Sequence, residues 1–166
     1  MSTETPPQPP SPTLRAAAPD DLAAIERLLS AAGLPTAGVA GIVTVRPSDF
    51  VVADAPASPG ELAAVAGIEV CGDDALLRSV AVRPEWRAHG VGRALVHRLV
   101  REAEARGIRA LYLLTTTAEH YFPRFGFERT TRDAVPADVA GTVEFTSACP
   151  ASATVMRRAL GTGALP

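Results

Sequence analysis

Between residues 75 and 92 the chain changes its hydrophobic rhythm within a few positions, and this change restricts the possible folds more than any other feature. Ala75 to Val82 reads as a largely apolar strand, and Arg83-Pro84 ends it. From Val91 the apolar residues Leu95, Leu99 and Ala103 return at helical spacing until Gly107. The connecting residues, Arg87-Ala88-His89-Gly90-Val91-Gly92, therefore sit where a strand stops and a helix starts. Free backbone N–H groups and the positive end of the helix dipole converge there, which makes an anion site. Glycines at 90 and 92 remove Cβ atoms, so a group as bulky as a pyrophosphate can approach the main chain, and Arg87 and Arg93 can add charge-assisted contacts. The plainer reading of the same six residues is a strand-to-helix turn with glycines for geometry. A dinucleotide fold fits poorly, because Leu95 replaces its third glycine and Tyr112 stands where an acidic ribose ligand is expected.

The flanking sequence supplies the other elements. Leu14 to Ala17 reads as a strand, and Pro19-Asp20-Asp21 opens a helix whose Leu22, Ile25, Leu28 and Leu29 share one face before Gly33 and Pro35 stop it. Thr36 to Pro47 shows no clear period and reads as loop with at most a helical turn. Phe50 to Ala53 and Leu62 to Val70 carry strand signals, with a Gly72-Asp73-Asp74 turn leading into the strand at Ala75. Ala110 to Leu114 is again a strand, Glu119 to Phe125 a short aromatic helix closed by Gly126, and strands follow at Phe127 and at Ala153 to Leu160. The order predicts an α/β (α+β) fold: one mixed sheet with helices packed on it.

The chain has 166 residues, 47% of them apolar, which suits one globular domain. All sixteen basic residues are arginine, so any P-loop or Schiff-base lysine is excluded. Two cysteines and three scattered histidines are too few for a zinc framework, and no metal is expected. Cys71 and Cys149 fit a reducing compartment, the cytoplasm. A net charge of -2 argues against a nucleic-acid partner, and no stretch is apolar enough for a membrane partner. Residues 1–12, rich in Pro, Ser and Thr, read as a disordered tail ahead of a single domain over 13–166.

Leu77-Arg78-Ser79-Val80-Ala81-Val82-Arg83-Pro84, then Arg87-x-x-Gly90-x-Gly92, and later Ala118-x-x-x-Phe122-x-x-x-Gly126-Phe127 together resemble the GNAT superfamily of acyl-CoA-dependent N-acetyltransferases. More narrowly, Glu69-x-x-Gly72, Leu113 to Ala118 and Cys149 to Thr154 resemble the branch associated with arsenic-resistance loci. The resemblance implies a mostly antiparallel mixed sheet that splays between the strand ending near Val82 and the one ending near Leu114. Acetyl-CoA would be the co-substrate, its pantetheine arm on the open strand edge at Val80, Ala81 and Val82. Its diphosphate would rest on Arg87, Ala88, His89, Gly90, Val91, Gly92 and Arg93. The acceptor would be a small-molecule amine that attacks the thioester directly in a ternary complex. Homodimers are frequent in the superfamily, so a homodimer is a further expectation.

Acetyl transfer needs a polarised thioester, a neutral amine and a leaving thiolate. By the resemblance, the Val80 N–H polarises the carbonyl. The position where some members carry a glutamate base holds Leu76, which leaves Glu69 as the nearest alternative. The position of a frequent tyrosine acid holds Phe122, and Tyr121 would lie about 100° away round a helix. Both aromatics then read as sheet packing. Ser79 and Cys149 are the remaining candidate proton donors or pocket residues, and Arg78 pairs with an acidic acceptor group or with Glu69. The Leu76 and Phe122 departures keep open a second reading, an acyl-CoA-binding sensor or interaction domain without turnover.

Overall fold

A computed structural model describes residues 12–161. It has seven strands in one sheet of order β1-β2-β3-β4-β5-β7-β6: β1 Leu14–Ala16, β2 Phe50–Asp54, β3 Leu62–Cys71, β4 Asp74–Val82, β5 Ala110–Thr115, β6 Glu128–Thr130 and β7 Thr154–Ala159. The helices are α1 Leu22–Ala31, α2 Val39–Val45, α3 Val91–Ala105 and the single turn α4 Ala137–Ala140. Every neighbouring pair of strands is antiparallel except β4 and β5. The mixed α/β architecture expected from the sequence is the one observed.

The periodic segments form because each has an apolar face to bury. On α3, Leu95, Val96, Leu99, Val100 and Ala103 are buried against one face of the sheet, where they meet Ala64, Ala66, Ile68, Leu77 and Leu113. Each fully buried leucine contributes about 1.5–3 kcal/mol. On α1, Ile25, Leu28 and Leu29 face the opposite side with Phe50, Val52 and Val65. Gly67 of β3 is needed there: a Cβ at that position would lie 2.5 Å from the Phe50 ring. Further along this face, Leu76, Ala110, Tyr112 and Val155 are covered by Val135 and Val139.

Three features differ from the sequence expectations. Thr36 to Pro47 is not simply loop: Val39 and Val43, one helical turn apart, are buried beside α1 and hold α2 together despite Gly41. A turn of π helix, Glu144–Ala148, lies between α4 and β7, where the sequence carries no clear period. Pro12, assigned to the tail, is buried, while residues 1–11 of that tail lie outside the described residues. No helix among the described residues is long and apolar enough to cross a membrane.

Candidate active site

β4 and β5 pair for only two positions, Ala75 with Leu111 and Leu76 with Tyr112. Beyond Leu76 they diverge, so the β5-facing edge of β4 has no strand partner and its main-chain groups are left open. β4 is also bulged against β3, where the register jumps from Gly67 opposite Arg78 to Val65 opposite Ala81. Ser79 takes up the slack at φ 59, an uncommon left-handed conformation for a residue with a side chain. Ser79 and Val80 both line the cleft that opens where the strands part, a space of about 780 Å³.

One end of this cleft is the strand-to-helix turn. No side chain caps α3, so the first N–H groups of the helix have no partner within it. Gly90 precedes the helix at φ 76, and a Cβ there would meet nothing within 4 Å. Ala88 is also left-handed, at φ 68. Alternating backbone conformations of this kind turn successive N–H groups inward and make a concavity for an anion. Val80, Ala81, Val82, Arg87, Ala88, Gly90, Val91, Gly92 and Arg93 all line the cleft, whereas the exposed His89 packs edge-on against Trp86 instead. The Arg87 Nε also donates to the Val82 carbonyl at 3.2 Å, tying the turn to the end of β4.

Arg78 stands at the other end. Alternation along β4 puts it on the same face as Leu76, in the seam between the α2 side and the α4 side. Its fully buried guanidinium donates to the Ala37 carbonyl at 2.6 Å, to Glu69 Oε1 at 3.1 Å and to Ser79 Oγ at 3.1 Å. Glu144, from the π turn, lies 3.5 Å away. Arg78, Glu144 and Cys149 line the cleft. Glu69 does not: it borders a separate shallow depression with Asp138 and Thr142. Burial pushes the Glu144 carboxyl above the ordinary carboxylate range; Arg78 pulls it down and Glu69 adds to the rise. Burial and then Glu144 likewise raise the Cys149 thiol, which keeps it protonated near neutrality.

Tyr121 is not placed as the helical offset predicts. It precedes a 3₁₀ turn, Phe122–Phe125, rather than lying within an α-helix. Phe122 is buried with Phe125 and Phe127, as expected for sheet packing, but Tyr121 lines the cleft, and its hydroxyl is 3.1 Å from where a Cβ on Gly92 would be. Burial raises this phenol, with Arg124 and Arg93 opposing, so it is a neutral hydrogen-bond donor. Glu144 is not singled out by the sequence, and Tyr121 both packs against Phe122 and Phe125, as expected, and lines the cleft. The spacing of Tyr121 from Gly126 was visible, but the tighter turn was not.

The model of an acetyltransferase (GNAT) domain matches residues 46–129, a segment that runs from before β2 to β6 and includes the divergent strands and the glycine turn. The chain belongs to the GNAT acetyltransferase family. The GNAT domain here is 39% identical over 69 residues to the amino-acid acetyltransferase of Pseudomonas syringae pv. tomato, a match that takes in 42% of this chain and 16% of that relative. The chain thus spans about one sixth of the length of that relative. Solved structures share the fold. Rv2747 of Mycobacterium tuberculosis, in complex with CoA and a second ligand, has a TM-score of 0.74 at 24% identity, covering 90% of this chain and all (100%) of that one. The ribosomal-protein-S18-alanine N-acetyltransferase of Escherichia coli has a TM-score of 0.65 at 21% identity, covering 94% and 100%. Among the described residues no group of three or more His, Cys, Asp or Glu side chains gathers to hold a metal ion.

Proposed function

We propose that this GNAT domain transfers an acetyl group from acetyl-CoA to the amine of a small molecule by direct attack within a ternary complex. The observation that carries this reading is the joining, in one cleft, of an unpaired β4 edge with the uncapped glycine turn of α3. An amide-rich pantetheine arm can bond to such an edge as an added strand would, while the diphosphate takes the N–H groups of the turn. Val80 follows the bulge at Ser79 and lines the cleft, and its N–H is the group we assign to polarising the thioester carbonyl. The Ser79 hydroxyl accepts from Arg78 and is free to donate, which suits proton delivery to the departing thiolate. Glu69, bonded to Arg78 and outside the cleft, is assigned to holding that arginine in place.

The acceptor is the finer part of the proposal. Of the stretches that carry the resemblance to the arsenic-resistance branch, all of Leu113–Ala118 and half of Cys149–Thr154 line the cleft. That supports a detoxifying acetylation of a small amino compound, with Arg78 and Cys149 in the acceptor pocket. Two unpaired cysteines suit the reducing cytoplasm. A homodimer is the assembly expected from the superfamily, and light scattering checks it. The test of the main reading is calorimetry with acetyl-CoA followed by thiol release with a panel of primary amines. Tight binding and amine-dependent thiol release are expected. Binding without release above the amine-free rate would make the protein a sensor of acyl-CoA instead.

A further inference from the structure

The acceptor end of the cleft holds an ionisable group without a settled partner. Glu144 is only 5% exposed, yet its carboxylate accepts no hydrogen bond from any described residue. Its one cationic neighbour, Arg78, spends its short bonds on Ala37, Glu69 and Ser79 and leaves Glu144 a 3.5 Å contact. Well-formed charge-assisted bonds are shorter, about 2.7–2.9 Å. Two carboxylates share one guanidinium, and since no fully buried side-chain oxygen among the described residues lacks a hydrogen-bond partner, the unbonded Glu144 carboxylate keeps access to the cleft, where a cation or a proton can meet it. Cys149, the other titratable group beside Glu144, is a neutral thiol and offers no compensation.

Taking the acetyl-transfer reading above as its basis, we propose that Glu144 binds the acceptor's ammonium group and takes its proton, with Arg78 as the positioning residue. The acceptor is therefore a primary amine that enters as a cation. The carboxylate removes one ammonium proton, the freed lone pair attacks the thioester carbonyl carbon, the C–N bond forms and the C–S bond breaks. The Ser79 hydroxyl protonates the thiolate and is restored by the second proton lost by nitrogen, and the proton on Glu144 passes to solvent. Desolvation fits this role, since a carboxylate made more basic by burial lies closer to the amine in proton affinity. Arg78 opposes the effect of burial, and Glu69 adds to it.

The experiment compares the wild type, E144Q and E69Q with glycinamide, ethanolamine and n-butylamine, three amines of rising basicity, at saturating acetyl-CoA. E144Q is expected to lose about 100-fold in kcat/KM for the amine, with acetyl-CoA affinity unchanged by calorimetry. The loss should be greatest for n-butylamine and smallest for glycinamide, and it should shrink as pH rises and free amine accumulates. A purely structural role would lower all three rates alike. The proposal is overturned if E144Q works as fast as the wild type, if the loss is uniform across the amines, or if E69Q carries the larger loss. No thiol release by the wild type with any amine would remove the acetyl-transfer reading itself, and this assignment with it.

Discussion

The donor end of the cleft is made of main chain, the acceptor end of side chains drawn from separate segments. At the donor end the cleft presents unpaired N–H and C=O groups of β4 and uncapped N–H groups of the turn before α3, and side chains matter there mostly by being absent. At the acceptor end, Arg78 from β4, Glu69 from β3, the Ala37 carbonyl ahead of α2 and Glu144 from the π turn meet around one guanidinium. A backbone site can be kept while the sequence around it drifts, provided the turn conformation survives. A charged cluster around a single cation depends on that cation, because its loss leaves the carboxylates unpaired. In the proposed reaction the donor end fixes what kind of chemistry is run, and the acceptor end fixes on what.

Substitutions at the two ends should separate cleanly. The largest effect is expected for Arg78→Met, which strands two carboxylates in the seam and should cost about 3–5 kcal/mol of stability, read by denaturant unfolding. A loss below about 1 kcal/mol would mean that the cluster is solvated after all. Next, Gly90→Val should weaken acetyl-CoA binding by about 100-fold, equivalent to about 2.7 kcal/mol. A Cβ there meets nothing within 4 Å, so the fold is expected to persist despite strain at φ 76, and calorimetry beside circular dichroism checks both effects. Arg93→Gln should weaken the same binding only about fivefold, or roughly 1 kcal/mol, because an exposed arginine supplements the N–H groups rather than replacing them. The smallest effect is expected for Ala88→Gly. It relieves a left-handed alanine at φ 68 and should stabilise the protein by roughly 0.5 kcal/mol, with acetyl-CoA affinity unchanged.

Glu144 adds a pH signature confined to the acceptor end. Its pKa is raised on folding, so the folded protein holds the proton over a range where the unfolded chain has released it. Stability then falls as pH rises from the ordinary carboxylate range through the folded pKa of Glu144. E144Q should accordingly melt higher than the wild type at neutral pH, with the gap closing in acid. A constant gap across that range would locate the effect in packing rather than in charge.

The donor end was legible in the sequence because it is local. Arg83-Pro84, two glycines and the recurrence of Val91, Leu95 and Leu99 specify a strand, a turn and a helix without reference to anything distant. The acceptor end depends on contacts between residues far apart in the chain, and no period announces them. Glu144 lies in a π turn whose shape follows from packing beside β7, and α2 is a helix because Val39 and Val43 find the sheet. Leu76 could be read as an apolar residue at a family base position, but the burial of Glu144 beside Arg78 could not. Tyr121 shows a smaller failure of the same kind: an α-helical offset was assumed where the chain makes a tighter turn.

Strand order carries a consequence for how the molecule is made. β7 lies between β5 and β6, so two strands that precede it wait for one that emerges from the ribosome later. At about 5–20 residues per second, the gap between the end of β6 at Thr130 and the start of β7 at Thr154 lasts on the order of seconds. Throughout that interval β5 shows a bare flank on which foreign segments can zip, and a nascent-chain chaperone has its best reason to linger there.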